Sequence, residues 1–333
     1  MAFAALPAAA NDKPNFLIIV ADDFGWSDPG FLGSSIRTPN IDALAERGIF
    51  LSNFYVAPTC SPTRAMLLTG VGNHAAGLGT MQGLQASNQI GHREYAAQLH
   101  DGVVTLAEVL RANGYATSMA GKWHLAIDED QYPNRRGFER SFGLLPGGAS
   151  HFADRRKIHR TEEIEYLENG KPVDLPPDFY STYAYSDKII EYINASEDKP
   201  FFAYLAYTAP HDPLQVPDDW LDRYAGAFDK GPAFAKQRRA ERLIEMGLID
   251  RETPLEQPQN FPKWLDSYKE PWSERDEQER AIDARRMEIY AAMVEIMDQQ
   301  IGRVITHLEQ SGKLDNTYVI FMSDNGASAG TRY

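Results

Sequence analysis

Three apolar runs divide the chain: Phe16–Val20, a stretch within Lys199–Tyr207, and Thr317–Met322. Each is short and rich in β-branched or aromatic residues. The first has no polar residue at alternate places, the pattern of a strand buried on both faces of a parallel sheet. Tyr115–Met119 predicts a further strand, and Ile49–Val56 another that delivers the chain to Cys60.

Helical signals fall between these runs. Thr38 followed by Pro39, with Gly48 as the stop, predicts a helix over 38–48. Pro62 suits a first helical turn, which places a helix start at Cys60–Arg64 with Ser61 as its cap. Thr105 and Glu108 form a capping-box pattern for a short helix ending near Asn113–Gly114. From Arg286 to Gln310, apolar Ile289, Met293, Met297, Ile301, Val304 and Leu308 recur at helical spacing, and these methionines read as core packing. Alternating buried strands and amphipathic helices predict an α/β fold with a mostly parallel sheet covered on both faces. The segment Leu78–His100 predicts an irregular loop, residues 151–180 carry no clear signal, and the charged stretch 217–283 predicts a solvated helical insertion.

Composition narrows the function. The 333 residues are 43% hydrophobic and 24% charged, an ordinary globular balance with enough apolar mass for a core. A net charge of -14 argues against a nucleic-acid-binding face. No apolar run is long enough to predict a membrane span. The single cysteine excludes a disulfide scaffold. Residues 1–10 are small and apolar, with Ala8–Ala10 as a cleavage-like site. They predict the remnant of an export signal and a periplasmic or secreted destination.

The chemistry gathers where predicted strands end. Asp22 and Asp23 follow the first strand, and Asp324 and Asn325 follow the last. Adjacent carboxylates at a buried strand end are costly unless a cation or hydrogen bonds offset them. If the two strands lie side by side, these four oxygen donors suit one hard divalent ion, Ca²⁺ or Mg²⁺. Cys60 stands at the positive end of its helix and Arg64 one turn on, leaning back toward it. Lys122 and His124 follow the Tyr115–Met119 strand and point the same way if the backbone stays extended. His211 lies on a strand-end loop between Pro210 and Pro213, with Asp212 placed to orient its ring. Taken singly, each of these is more often a satisfied structural residue than a functional one.

Together they carry a resemblance. Cys60-Ser-Pro-Thr-Arg64 running into Thr69-Gly70, with Gly121-Lys-Trp-His124, resembles the signature of the formylglycine-dependent type I sulfatases, bacterial arylsulfatases in particular. Leu125-Ala126 departs from that family's Leu-Gly, and Arg136–Glu139 matches a stretch read as structural. The resemblance implies an alkaline-phosphatase-like fold, with 11–333 as an N-terminal catalytic domain whose C-terminal part is missing. It implies hydrolysis of small-molecule sulfate esters by a formylglycine made from Cys60 by a maturating enzyme. It selects Ca²⁺, held by Asp22, Asp23, Asp324, Asn325 and modified residue 60. Arg64 and Lys122 then serve as charge compensation and sulfate binding, His211 as acid and His124 as base. A phosphate or phosphonate monoester hydrolase and a non-catalytic sulfate-binding fragment remain as alternatives.

Overall fold

The computed structural model describes residues 13–158, 164–255 and 272–328. The expected export remnant therefore lies outside the described residues, as does part of the 217–283 insertion.

Among the described residues, seven strands form one sheet: β1 (Asn15–Ala21), β2 (Ala116–Lys122), β3 (Arg140–Leu144), β4 (Tyr166–Glu168), β5 (Lys171–Pro172), β6 (Phe201–Ala206) and β7 (Thr317–Ser323). Their order is β5-β4-β3-β2-β6-β1-β7. The pairs linking β3, β2, β6, β1 and β7 are parallel, and β4 alone among these strands runs against the rest, antiparallel to both β3 and β5. The helices are α1 (Pro39–Arg47), α2 (Cys60–Thr69), α3 (Asn73–Ala76), α4 (Leu106–Ala112), α5 (Ser181–Asn194), α6 (Gly231–Glu245) and α7 (Glu277–Gln310).

The unbroken apolar character of β1 follows from its place. Leu17 and Ile19 face a core shared with α1, α5 and α7, while Ile18 and Val20 face a second core with α2 and α4. Each methyl-rich side chain thus leaves water whichever way it points, and contributes about 1.5–3 kcal/mol of burial. β6 flanks β1 on one side and β7 on the other, in register through Ile18, Tyr204 and Ile320. The carboxyl ends of strands remote in sequence are therefore level. Three backbone bonds continue the alignment past the strands: Tyr207 N–H to Val20 O, Asp22 N–H to Ala209 O and Asp324 N–H to Ala21 O.

Several expectations are corrected by the fold. Ile49–Val56 is not a strand; Ile49 is 87% and Tyr55 85% exposed. Its apolar residues reach no core, with Leu51 62% and Phe54 55% exposed, so the burial that holds a sheet strand is missing. Helix α7 starts at Glu277, ahead of the expected start at Arg286, and is opened by a capping box of Asp276 and Glu279. Its first turns are polar because they pack on little, and only the cap announces them. Helix α2 starts at Cys60 with Thr59, not Ser61, in the capping position, so Cys60 is the first helical residue. Thr38 does precede α1 but makes no side-chain cap; Asp298 of α7 accepts the N–H groups of Asn40 and Ile41 instead.

Candidate active site

Four charged side chains, Asp22, Arg64, Lys122 and Asp324, are fully buried at the carboxyl ends of β1, β2 and β7. Burial of this kind is tolerated only with close pairing. The Lys122 Nζ lies 2.6 Å from Asp22 Oδ2, and Arg64 Nη2 lies 2.8 Å from Asp324 Oδ2. Arg64 also donates from Nε to Asp324 at 2.9 Å and from Nη1 to the Lys122 carbonyl at 2.9 Å. One guanidinium thereby ties α2 to both β2 and β7. The expected lean of Arg64 back across the helix mouth is what makes this reach available.

Lys122 is delivered by a residue that must be glycine. Gly121 has φ +121°, and a Cβ there would lie 1.8 Å from the Ala206 carbonyl oxygen of β6. Strand β2 ends at Lys122, and His124 adopts φ +55°. The extended backbone on which the expected pairing of Lys122 and His124 rested stops between them. Trp123, the residue in the middle, is fully buried and donates its indole N–H to the Gln131 carbonyl.

Asp23, Cys60 and His211 converge on Asp22. Ligand-type atoms of these four residues all lie within 4.8 Å of one another. His211 Nε2 is 3.6 Å from Asp23 Oδ2. Its Nδ1 donates to the carbonyl of Asp212 at 2.7 Å. The ring is thus oriented by the backbone of Asp212 rather than by its carboxylate. Since a carbonyl can only accept, Nδ1 carries the proton and Nε2 is the atom turned to the site. Asn325 donates from Nδ2 to Asp23 Oδ1 at 2.6 Å, and Asp324 Oδ1 accepts the Asp23 N–H at 3.4 Å. Sequence reading grouped Asp324 and Asn325 with the two β1 carboxylates but did not include His211 in that cluster.

Electrostatics follow from the crowding. Burial pushes the Cys60 thiol well above its ordinary range; Lys122 draws it back, and Asp22 and Asp324 add to the rise. The unmodified side chain is therefore a neutral thiol, not the thiolate that a helix N-terminus alone would favour. Burial and the neighbouring Asp22 charge lift Asp324 to about 6 against the pull of Arg64 and Lys122. Two side-chain oxygens here, Asp22 Oδ1 and Asn325 Oδ1, are buried without a hydrogen-bond donor. Unsatisfied hard oxygens beside three carboxylates fit a Ca²⁺-type cation.

Two further features escaped the sequence reading. His151 is 1% exposed and bonds from Nε2 to the His211 carbonyl at 3.0 Å, while its Nδ1 meets Ser181 Oγ at 2.8 Å. Burial lowers it to about 4, so it is neutral, with the proton on Nε2. Gly147 and Gly148 pass between the two site histidines. A Cβ on Gly147 would stand 2.8 Å from His124 Cε1, and one on Gly148 3.3 Å from His211 Cε1. Paired glycines soon after a strand are a sign of close backbone approach, and this signal was present at 147–148.

The sulfatase family profile matches residues 14–333. The arylsulfatase of Klebsiella aerogenes is 41% identical over 324 residues, covering 96% of this chain and 68% of that protein. The chain belongs to the sulfatase family. A protein of Schizosaccharomyces pombe described as an uncharacterized sulfatase is 45% identical over 332 residues, with 96% of this chain and 58% of that protein covered. The crystal structure of Ps i-CgsB in complex with k-i-k-neocarrahexaose superposes with a TM-score of 0.68 at 28% identity, covering 95% of this sulfatase and 59% of that chain. This sulfatase thus has the alkaline-phosphatase-like fold expected of it, and spans less than two thirds of several proteins it matches.

Proposed function

We propose that this sulfatase hydrolyses small-molecule sulfate esters, of aryl type, to an alcohol or phenol and inorganic sulfate. The observation that carries the reading is the meeting of Cys60, at the first position of α2, with Asp22, Asp23 and His211 within 4.8 Å. As a neutral thiol whose ionisation burial opposes, Cys60 is a poor nucleophile here, which supports its conversion by a maturating enzyme to formylglycine. That group, once formed, supplies a geminal diol as the attacking oxygen. Asp22, Asp23, Asp324 and Asn325 would hold Ca²⁺, which when bound supplies a fixed positive charge beside the sulfate.

The chain's own residues account for the remainder. Arg64 holds Asp324 and neutralises it, keeping the carboxylates close without mutual expulsion. Lys122 sits on Asp22 and presents its remaining ammonium protons to sulfate oxygens. His211, with Nδ1–H locked on the Asp212 carbonyl, acts as the imidazolium, carrying a second proton on Nε2 beside Asp23, and gives that proton to the departing alcohol oxygen. His124 takes up the proton released as sulfate leaves.

The test is turnover of 4-nitrophenyl sulfate and 4-nitrophenyl phosphate by protein co-produced with a maturating enzyme, with the mass of the Cys60 peptide measured in parallel. Sulfate hydrolysis that accompanies loss of sulfur and gain of a carbonyl, and that vanishes in Cys60→Ala, is expected. Faster phosphate turnover would replace the reading with monoester phosphohydrolysis, and Ca²⁺-dependent sulfate binding without turnover would reduce it to a binding role.

A further inference from the structure

A cavity of about 700 Å³ opens beside Asp23 and the loop of Pro210 and Asp212, next to the candidate active site. Its other walls come from α6, the start of α7 and Trp272. The volume lies within the roughly 300–1,000 Å³ range of pockets that enclose drug-sized ligands, far more than a sulfate group needs.

The wall chemistry is one-sided. Phe228, Leu243, Trp272, Ala284 and Met287 give it an apolar lining. Several of its charged members are paired with one another. Asp28 accepts from the Tyr290 hydroxyl at 2.5 Å and pairs with Arg239 at 2.8 Å. Asp283 is bridged by Arg286 at 3.0 Å and by Arg275. A carbohydrate would lay many of its hydroxyls against the apolar part of the wall, each costing desolvation without return. An apolar body carries no such penalty and removes both surfaces from water.

We infer that this cavity is the leaving-group subsite, and that the preferred substrates are sulfate esters of large apolar alcohols or phenols rather than sulfated sugars. The inference rests on the sulfate-ester reading for its reaction, but the cavity can be examined without catalysis. With the anion held by Lys122, the organic part extends past Asp23 and Pro210 into the space under α6. Ala235 on α6 lines that space, so a larger side chain there fills it.

Two measurements test this. First, kcat/KM is compared for phenyl sulfate, 4-butylphenyl sulfate and glucose 6-sulfate, in wild type and Ala235→Trp. Each buried methylene is worth up to about fourfold, so the butylphenyl ester should exceed the phenyl ester by about 100-fold. That ratio should shrink by at least about tenfold in the variant. Second, calorimetry compares 4-butylphenol with phenol in the same two proteins, with folding checked by circular dichroism. Tighter 4-butylphenol binding, lost in Ala235→Trp, supports the subsite even if no ester is turned over, an outcome that would count against the reaction alone. Equal binding of the two phenols, a preference unchanged by Ala235→Trp, or best turnover of the sugar sulfate would overturn the inference.

Discussion

His151 Nε2 donates to the backbone carbonyl of His211 at 3.0 Å, from a ring that is itself fixed by Ser181. A fully buried neutral imidazole thereby holds the peptide from which the site histidine projects. His151 reaches the cluster through the backbone of His211 and not through its ring, so its effect is on position. His151→Ala should lower kcat by about 10–100-fold, the scale of misplacing a reacting group by an ångström, with KM little changed. His151→Gln, which keeps a donor near the Nε2 position, should recover part of kcat. Equal loss in both variants, tracking only a fall in melting temperature, would show a purely structural role.

The 2.6 Å pair of Lys122 and Asp22 is fully buried on both sides. Lys122→Met leaves the Asp22 carboxylate short of its nearest counter-charge and should cost about 3–5 kcal/mol in denaturant unfolding. Adding Asp22→Asn should restore much of that stability, because an unpaired charge no longer remains. Activity should stay absent in the double variant. Recovery of turnover together with stability would rule out a role for either group in binding sulfate or metal.

Gly147 separates backbone from the His124 ring by less than a side chain's width. Gly147→Ala would place its methyl 2.8 Å from His124 Cε1 and push the ring aside. Turnover should fall by about tenfold or more, while urea midpoints shift little, because the ring yields more readily than backbone. Gly121→Ala is the contrast: with Ala206 carbonyl oxygen 1.8 Å away and φ +121°, it should damage folding itself. Unaltered kinetics in Gly147→Ala would remove the glycine from any part in placing His124.

Asp298 bridges α7 and the start of α1, accepting from Asn40 and Ile41. Burial raises it to about 6, against the pull of those donors. A carboxyl with a raised folded-state value holds its proton longer folded than unfolded. Its contribution is therefore most favourable below about 4 and declines as pH rises through 6. The stability of wild type relative to Asp298→Asn should be greater at pH 4 than at pH 7, measured by urea unfolding. A difference that grows with pH would reverse the assignment.

Much of this molecule was legible in its residues. β1, β6, β7 and α7 were readable because burial on two faces, or on one stripe, demands unbroken or periodic apolar residues. Cys60, Arg64, Lys122, His124 and His211 were singled out because their residue types stand at strand ends and a helix start. What local pattern misjudged was Ile49–Val56, whose apolar run packs on no core and stays exposed, and the polar first turns of α7.

The sequence by itself determined which segments must hide from water and which charged groups sit at their tips, since those properties depend on residues adjacent in the chain. The tertiary structure alone decided that Arg64 meets Asp324, that Asp212 steadies His211 through its carbonyl, and that His151 stands behind it. Such pairings join residues up to 260 positions apart. They arise from strand order and register, which long-range packing selects and no local spacing encodes.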